Sequence, residues 1–300
     1  MSDREREPGT AIPSPHRSAA RSLSALFGRR PRLALSALLV APVGWLVLVY
    51  IVALLLLLIT ALWTTDSFTG LIVQKWNLEN FKQVVMEPLY RTVTLRTLGI
   101  ALAVTAIDVL IALPVGYYMA KVARPRTQAI LVIAFMMPLW AAYLVKAYAW
   151  RSIFSDGGIL SSLGHSPGLG LAATITTMSY IWLPYVIMPV YAGFQRVPNS
   201  LLEAAGDLGA KGWRTFRAVI VPLVWPSVIA GSIFSFSLTL GDYIAIQIVG
   251  GSQQLLGTLI YSNVGTGGNM PLAAAIAFIP IVIILVYLLL VRRTGALKNL

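Results

Sequence analysis

The chain has no cysteine in its 300 residues. Disulfides and thiolate metal sites are thereby excluded, although the absence says nothing of compartment. Histidine is scarce as well: His16 and His165 stand far apart with no carboxylate at ligand spacing, so no metal and no cofactor is expected. Charged residues make up 11% of the chain, where a soluble domain carries about 25%. Catalytic signatures are missing too, with no G-x-x-x-x-G-K-[ST] phosphate loop, no G-x-S-x-G elbow and no H-E-x-x-H pair. Such a chain is not expected to be an enzyme. Energy for any work it does has to come from a partner.

What the chain has is apolar length. Hydrophobic residues reach 57%, and several uncharged runs exceed the ~20 residues that cross the hydrocarbon core of a bilayer. The net charge of +12 raises the question of nucleic acid. The basic residues, however, lie mostly in the gaps between apolar runs and not on one aromatic-studded face, which is the pattern of a chain oriented in a membrane. Lipid is an expected partner and nucleic acid is not.

Residues 1–32, rich in Arg, Ser and Pro, read as a disordered basic cytoplasmic tail. Residues 33–300 read as an all-α membrane domain of six spans. The first run, 33–65, is uncharged and outlasts the bilayer at about 1.5 Å per residue. It is also too long for a cleaved signal, whose apolar region has roughly 7–15 residues, so it is expected to be retained. An external loop follows over 66–91, with Trp63, Phe68, Trp76 and Phe81 as interfacial anchors. The second span, about 92–120, carries Asp108 in its interior and Pro114 and Gly116 as kink sites. The third, about 127–150, is interrupted by Pro138 and closes on Trp140, Tyr143, Lys146, Tyr148, Trp150 and Arg151. The fourth, fifth and sixth fall near 171–194, 219–240 and 270–291, with external loops over 152–170 and 241–268. Of the 23 Lys and Arg, 17 lie in the tail, the two internal loops and the C-terminus, which places both ends in the cytoplasm. No self-similar block of ~20–50 residues stands out, so an inverted-repeat carrier has no support.

One polar and basic island, Asn199 to Pro222, interrupts this pattern between two long apolar segments. Ser200 with Glu203 three residues on has the form of a capping box, which predicts a short helix. Leu201, Ala204, Ala205 and Leu208 fall on one face of it, and Gly206 and Gly209 end or loosen it. A helix this short is marginal alone, so it is expected to dock on something. Lys211, Arg214 and Arg217 place it on the cytoplasmic side.

Glu203-Ala204-Ala205, then Gly209, then Val219-Ile220-Val221-Pro222 resembles the EAA loop of permease subunits of ABC importers. That pattern runs EAA, three residues, Gly, nine residues and Ile-x-Leu-Pro. The spacing is kept here; Val219 and Val221 stand for Ile and Leu. The resemblance implies that the loop, 198–222, sits in a cleft of a cytoplasmic ATPase and transmits its motion. It further implies two ATPase subunits, a second homologous permease subunit, an extracytoplasmic solute-binding protein and a bacterial inner membrane. Leu144 to Trp150, together with Leu240-Gly241-Asp242-Tyr243 and Val249-Gly250-Gly251, is similar to segments of the spermidine/putrescine permeases. Lys146 and Ala147 stand where that group commonly has Arg and Thr. The implied cargo is a polyamine; another organic cation, iron, thiamine or sulfate remains the alternative in the same class, and an ion-coupled secondary carrier the alternative in another.

Buried charge adds a weaker indication. Intramembrane ionisable residues line a pathway or pair with one another. Asp108 and Asp242 are the candidates, with Tyr243, Trp150 and Tyr148 as aromatic faces for an ammonium group. Trp140, Tyr143, Tyr180, Trp182 and Tyr185 fit either that role or an interfacial belt. Gly241 before Asp242 and the Gly250-Gly251 pair after it predict irregular backbone, which membranes tolerate only where protein buries it or it lines a cavity. Asp242 then either guides the cargo, or caps the broken helix or pairs with Lys146 or Arg151. Lys146 and Arg151 themselves suit snorkelling to the external surface or docking of the binding protein.

Overall fold

In lipid a backbone has to satisfy its own hydrogen bonds, and the apolar runs accordingly fold as helices. The computed structural model describes residues 31–293 apart from Ser67, Leu163, His165 and Lys211, with side chains placed from Leu38 to Arg292. The basic tail, His16, His165, Lys211 and the last residues therefore lie outside the described residues.

The chain forms two compact units, 1–57 and 58–300. Helix α1 (Pro31–Ala61) supplies the described part of the first unit. Every side chain from Leu38 to Leu56 is exposed. A helix apolar on all sides suits lipid and not water.

The second unit opens with a small antiparallel hairpin, β1 (Thr64–Thr65) on β2 (Ile72–Val73). Helix α2 (Glu79–Met86) follows. Its Asn80 side chain donates to the carbonyls of Ala61 and Trp63 at 2.9 and 2.7 Å, which satisfies acceptors left over where α1 ends. Helix α3 (Pro88–Tyr117) starts with proline in its first turn, where no amide is needed, and runs on as a π-helical turn, Tyr118–Val122. The second span thus begins before Thr92. Helix α4 (Pro125–Trp140) then meets the segment Tyr143–Ser162, which opens with α5 (Tyr143–Phe154), at 95°. The break is not at Pro138, which stays inside α4. It falls at Ala141 and Ala142, whose ψ angles of 137° and 139° are extended. Pro138 destabilises the helix locally, and the chain leaves it within one turn.

After a short α6 (Ile159–Ser162) comes α7 (Leu171–Arg196), then α8 (Asn199–Asp207) and α9 (Gly212–Thr215). A second π-helical turn, Phe216–Ile220, leads into α10 (Val221–Gly241). The 241–268 segment is not a simple external loop: it contains α11 (Ile244–Val249) and α12 (Leu256–Val264), and Ala245, Ile246, Val249, Leu255 and Leu256 are buried. Its apolar residues let it fold back among the spans. Helix α13 (Met270–Arg293) ends the described chain. Among the described residues five helices are long and apolar enough to cross a membrane, or six if the bent segment from α4 through Ser162 counts as one span.

The core of this unit lies where α3, α7 and α10 meet, around Met119, Ile187, Val190, Phe194, Val224 and Val228. Close approach rests on missing side chains. A Cβ at Gly193 of α7 would lie 2.5 Å from the Ser227 Oγ of α10, and one at Gly231 of α10 would lie 3.1 Å from the Val186 Cα. Small residues at such crossings let helices pack without a hydrophobic driving force from water.

Candidate functional site

Two regions carry the chemistry, and the first is the loop 198–222. The chain leaves α7 through extended Val197 and Pro198, and Pro198 is the N-cap of α8. Proline has no side-chain acceptor to offer. The capping box expected from Ser200 and Glu203 is absent, because the helix begins two residues earlier than the box requires. Glu203 and Ala204 are exposed, whereas Ala205 is half-buried. The face turned to the bundle is also displaced from the expected one: Leu202 packs on the core, while Leu201 and Leu208 point outward, Leu208 with 88% of its surface free.

The C-terminal end of α8 matches expectation. Gly209 adopts φ +74°, the left-handed region that glycine enters without a Cβ clash. The Ala210 N–H donates to the Ala205 carbonyl at 2.9 Å and the Gly209 N–H to the Gly206 carbonyl at 2.8 Å, the paired bonds of a Schellman stop. Trp213 is exposed and stacks on Phe216 with centroids 5.8 Å apart. Pro222 stands in the first turn of α10, where its missing N–H leaves a carbonyl of the preceding π-helical turn without its usual partner. The loop thus leaves the apolar side chains of Leu208 and Trp213 and the carboxylate of Glu203 exposed.

The second region is the break between α10 and α11. Helix α10 stops at Gly241, and Asp242 is extended, with ψ 131°. Asp242 is buried, so protein and not open space covers this irregular backbone. Its Oδ1 accepts from the Ala245 N–H at 3.0 Å, and its Oδ2 accepts from the Tyr143 hydroxyl at the start of α5. Asp242 does not pair with Lys146 or Arg151. Arg151 Nη1 instead donates to the Ile248 carbonyl at 2.6 Å. The short α11 therefore has a carboxylate at its N-terminal end and a guanidinium at its C-terminal end, both matching the helix dipole. Lys146 is 9% exposed and has no side-chain hydrogen bond or ion pair among the described residues.

Aromatic rings gather on the same side. Tyr143 lies 5.8 Å from Trp182, Trp182 6.0 Å from Tyr185, and Trp150 5.5 Å from Tyr180 and 5.6 Å from Phe154. Tyr243 stacks on Tyr261 at 4.9 Å. Tyr148 and Trp140 are exposed and join none of these pairs.

Asp108 does not join the Asp242 group. It is fully buried in α3, and its Oδ2 accepts from the Ser235 hydroxyl of α10 at 2.6 Å. Ser235 lies seven residues before Asp242, about 10 Å along the helix axis. Among the described residues neither Asp108 Oδ1 nor the nearby Ser179 hydroxyl of α7 has a hydrogen-bond partner. Ser235 and Tyr143 as carboxylate partners are separated from them by 127 and 99 residues. No local spacing signals such pairs.

Residues 109–295 match the family model for the binding-protein-dependent transport system inner membrane component. The chain is 40% identical to the inner membrane ABC transporter permease protein YdcU of Escherichia coli (strain K12), over 96% of this chain and 98% of that one. It is 28% identical to the spermidine/putrescine transport system permease protein PotB of the same organism, over 87% of this chain and 98% of that one. In fold it is similar to a chain of a bacterial alginate ABC transporter in complex with its substrate-loaded periplasmic protein. The TM-score there is 0.67 at 14% identity, covering 89% of this chain and 95% of that one. A chain of the MetNI methionine ABC transporter gives a TM-score of 0.53 at 19% identity, covering 70% and 97%. The chain belongs to the binding-protein-dependent transport system inner membrane components and is the permease subunit of an ABC importer, not itself an enzyme.

Proposed function

We propose that this permease takes up polyamines, spermidine or putrescine, handed to it by an extracytoplasmic solute-binding protein. The single observation that carries the cargo is the likeness to PotB along nearly the whole of both chains. The geometry adds support. A buried carboxylate, Asp242, stands at a helix break beside the ring of Tyr143, and Tyr143 leads on to Trp182 and Tyr185. An ammonium group is held by a carboxylate and by aromatic faces. Asp242, Tyr243, Trp150 and Tyr148 are assigned to the substrate pathway, and Asp108 to a deeper level of it.

Energy comes from two ATPase subunits that receive α8, with Glu203, Ala204, Ala205, Gly209 and Pro222 shaping the contact. A second, homologous permease completes the pore. Both termini lie in the cytoplasm, and ATP-driven closure tilts the loop and turns the pore from inward-facing to outward-facing.

One observation favours a second cargo. Lys146 is a buried cation without a partner among the described residues, and an anion such as sulfate would satisfy it. Uptake by the complete transporter in proteoliposomes, with its binding protein outside and ATP inside, separates the two. Labelled spermidine or putrescine entering faster than sulfate supports the polyamine reading, and sulfate entering alone overturns it.

A further inference from the structure

We propose that Lys121 is a positioning residue for coupling: it clamps the base of α8 to the turn between α3 and α4, so that the three move as one body. The proposal rests on the reading of α8 as the segment that the ATPase moves. Lys121 Nζ donates to the Val197 carbonyl at 2.6 Å and to Asn199 Oδ1 at 3.0 Å. These two acceptors flank Pro198, the N-cap of α8. Only Val197 and Pro198 join α7 to α8, so whatever holds them sets the direction in which α8 points. Val197 is buried, and among the described residues no backbone N–H bonds its carbonyl. A lysine that served only to keep its charge in the cytoplasm would reach for water and not for two defined acceptors.

The surroundings support the assignment. Lys121 sits in a π-helical turn, Tyr118–Val122, and the other end of the loop is also π-helical, Phe216–Ile220. Such turns recur at functional positions, where a helix end has to yield. Tyr117, just before the first, meets Phe194 edge-on at 5.7 Å and Phe216 edge-on at 5.8 Å. The end of α3 therefore touches the chain both ahead of α8 and beyond it. Displacement of α8 by a partner then reaches α3, the helix that carries Asp108, without passing through the length of α7.

The chain has no cysteine, so labels at Leu208→Cys on α8 and Ile130→Cys on α4 are unique within this subunit, and both sites are exposed. The distance between them is measured by pulsed electron resonance in the reconstituted transporter, its other subunits free of cysteine, without nucleotide and with ATP and vanadate. One distance in both states is expected for the unmodified clamp and for Lys121→Arg, with a shift or broadening in Lys121→Met. Transport of putrescine per ATP hydrolysed falls at least about tenfold in Lys121→Met, which loses both charged hydrogen bonds, and returns in Lys121→Arg. A distance that changes with nucleotide in the intact clamp, or stays fixed in Lys121→Met, overturns the proposal. If Lys121→Met fails to assemble, Asn199→Ala removes only the side-chain acceptor. A partial fall in transport per ATP then supports the clamp, and unchanged coupling overturns it. Failure of the underlying reading shows separately, as a Leu208→Cys label whose mobility ignores added ATPase subunits, and the α8 to α4 distance still decides the clamp in that case.

Discussion

The Ser235 hydroxyl donates to Asp108 Oδ2 at 2.6 Å, joining α10 to α3 inside the bundle, while the other carboxylate oxygen has no partner among the described residues. Among the described residues no charged side chain pairs with Asp108. An ionised carboxylate there is costly, whereas a neutral amide of the same shape keeps an acceptor for Ser235 and gains a donor for the Ser179 hydroxyl. Asp108→Asn is therefore expected to leave thermal stability of the purified complex unchanged or raised. Asp108→Leu strands the Ser235 hydroxyl and costs about 1–3 kcal/mol. Equal losses in the two variants would contradict this account.

The loop makes the opposite kind of prediction, an effect on coupling without one on stability. Glu203 is exposed and caps nothing. Glu203→Ala should therefore change stability by no more than about 0.5 kcal/mol, yet lower the stimulation of ATP hydrolysis by loaded binding protein. Gly209, at φ +74°, has open space around it, so only backbone strain opposes a side chain. Gly209→Asn is expected to behave nearly as wild type, and Gly209→Val to cost about 1–3 kcal/mol and to uncouple. Wild-type stimulation in both Glu203→Ala and Gly209→Val rejects the ATPase-docking role.

Much of this architecture is legible in the chain itself, and the exceptions share a cause. Long uncharged runs and the Glu203, Gly209, Pro222 spacing are local signals, and spans and loop follow from them. The chain break at Ala141 and Ala142 is displaced from Pro138 because proline weakens a turn without choosing where the chain turns away. The capping box fails because the helix is capped at Pro198, two residues ahead of Ser200. Lys121 with Val197, Ser235 with Asp108 and Tyr143 with Asp242 are pairs 76, 127 and 99 residues apart. Tertiary packing alone creates them, so no periodicity or spacing announces them.

Orientation is tested by reporter insertion. The excess of Lys and Arg on one side predicts cytoplasmic signal after Arg126 and after Arg217, and external signal near Gly164 and Gly267. A cytoplasmic signal at Gly164 would require a different span count.

Asp66 gives a pH dependence outside the membrane. Its Oδ1 accepts the N–H groups of Phe68 and Thr69, each at 2.9 Å, and the Thr69 hydroxyl at 3.1 Å. The backbone bonds from Thr69 and Phe68 hold its carboxyl below the ordinary 3.8. A group depressed on folding stabilises above its unfolded value, and that stabilisation disappears as pH falls through the lower folded value. The turn between β1 and β2 should accordingly keep its amide protection at neutral pH and lose it only in strong acid. Hydrogen exchange at Phe68 and Thr69, corrected for intrinsic rates, checks this, and Asp66→Asn should remove the acid transition. An acid transition that survives in Asp66→Asn assigns it to another group.

Asp242 separates cargo contact from architecture. Its Oδ1 caps the Ala245 N–H and its Oδ2 receives the Tyr143 hydroxyl, so the carboxylate already performs a structural task. Asparagine retains a side-chain oxygen for the Ala245 amide and an amide that bonds the Tyr143 oxygen, and it is a good residue at a helix N-terminus. What it lacks is the negative charge. If the carboxylate guides an ammonium group, Asp242→Asn folds, assembles and keeps its basal ATP hydrolysis. Spermidine and putrescine uptake then fall, and the preference for amines of higher charge is reduced. Asp242→Ala, which loses the cap as well, is expected to lower assembly too, by the roughly 0.5–2 kcal/mol that a cap contributes. Tyr143→Phe frees Oδ2 while leaving the ring and the charge, so it should alter uptake far less than Asp242→Asn. Uptake of both polyamines at wild-type rate in a fully assembled Asp242→Asn transporter would remove Asp242 from the substrate pathway and leave it as the structural cap of α11.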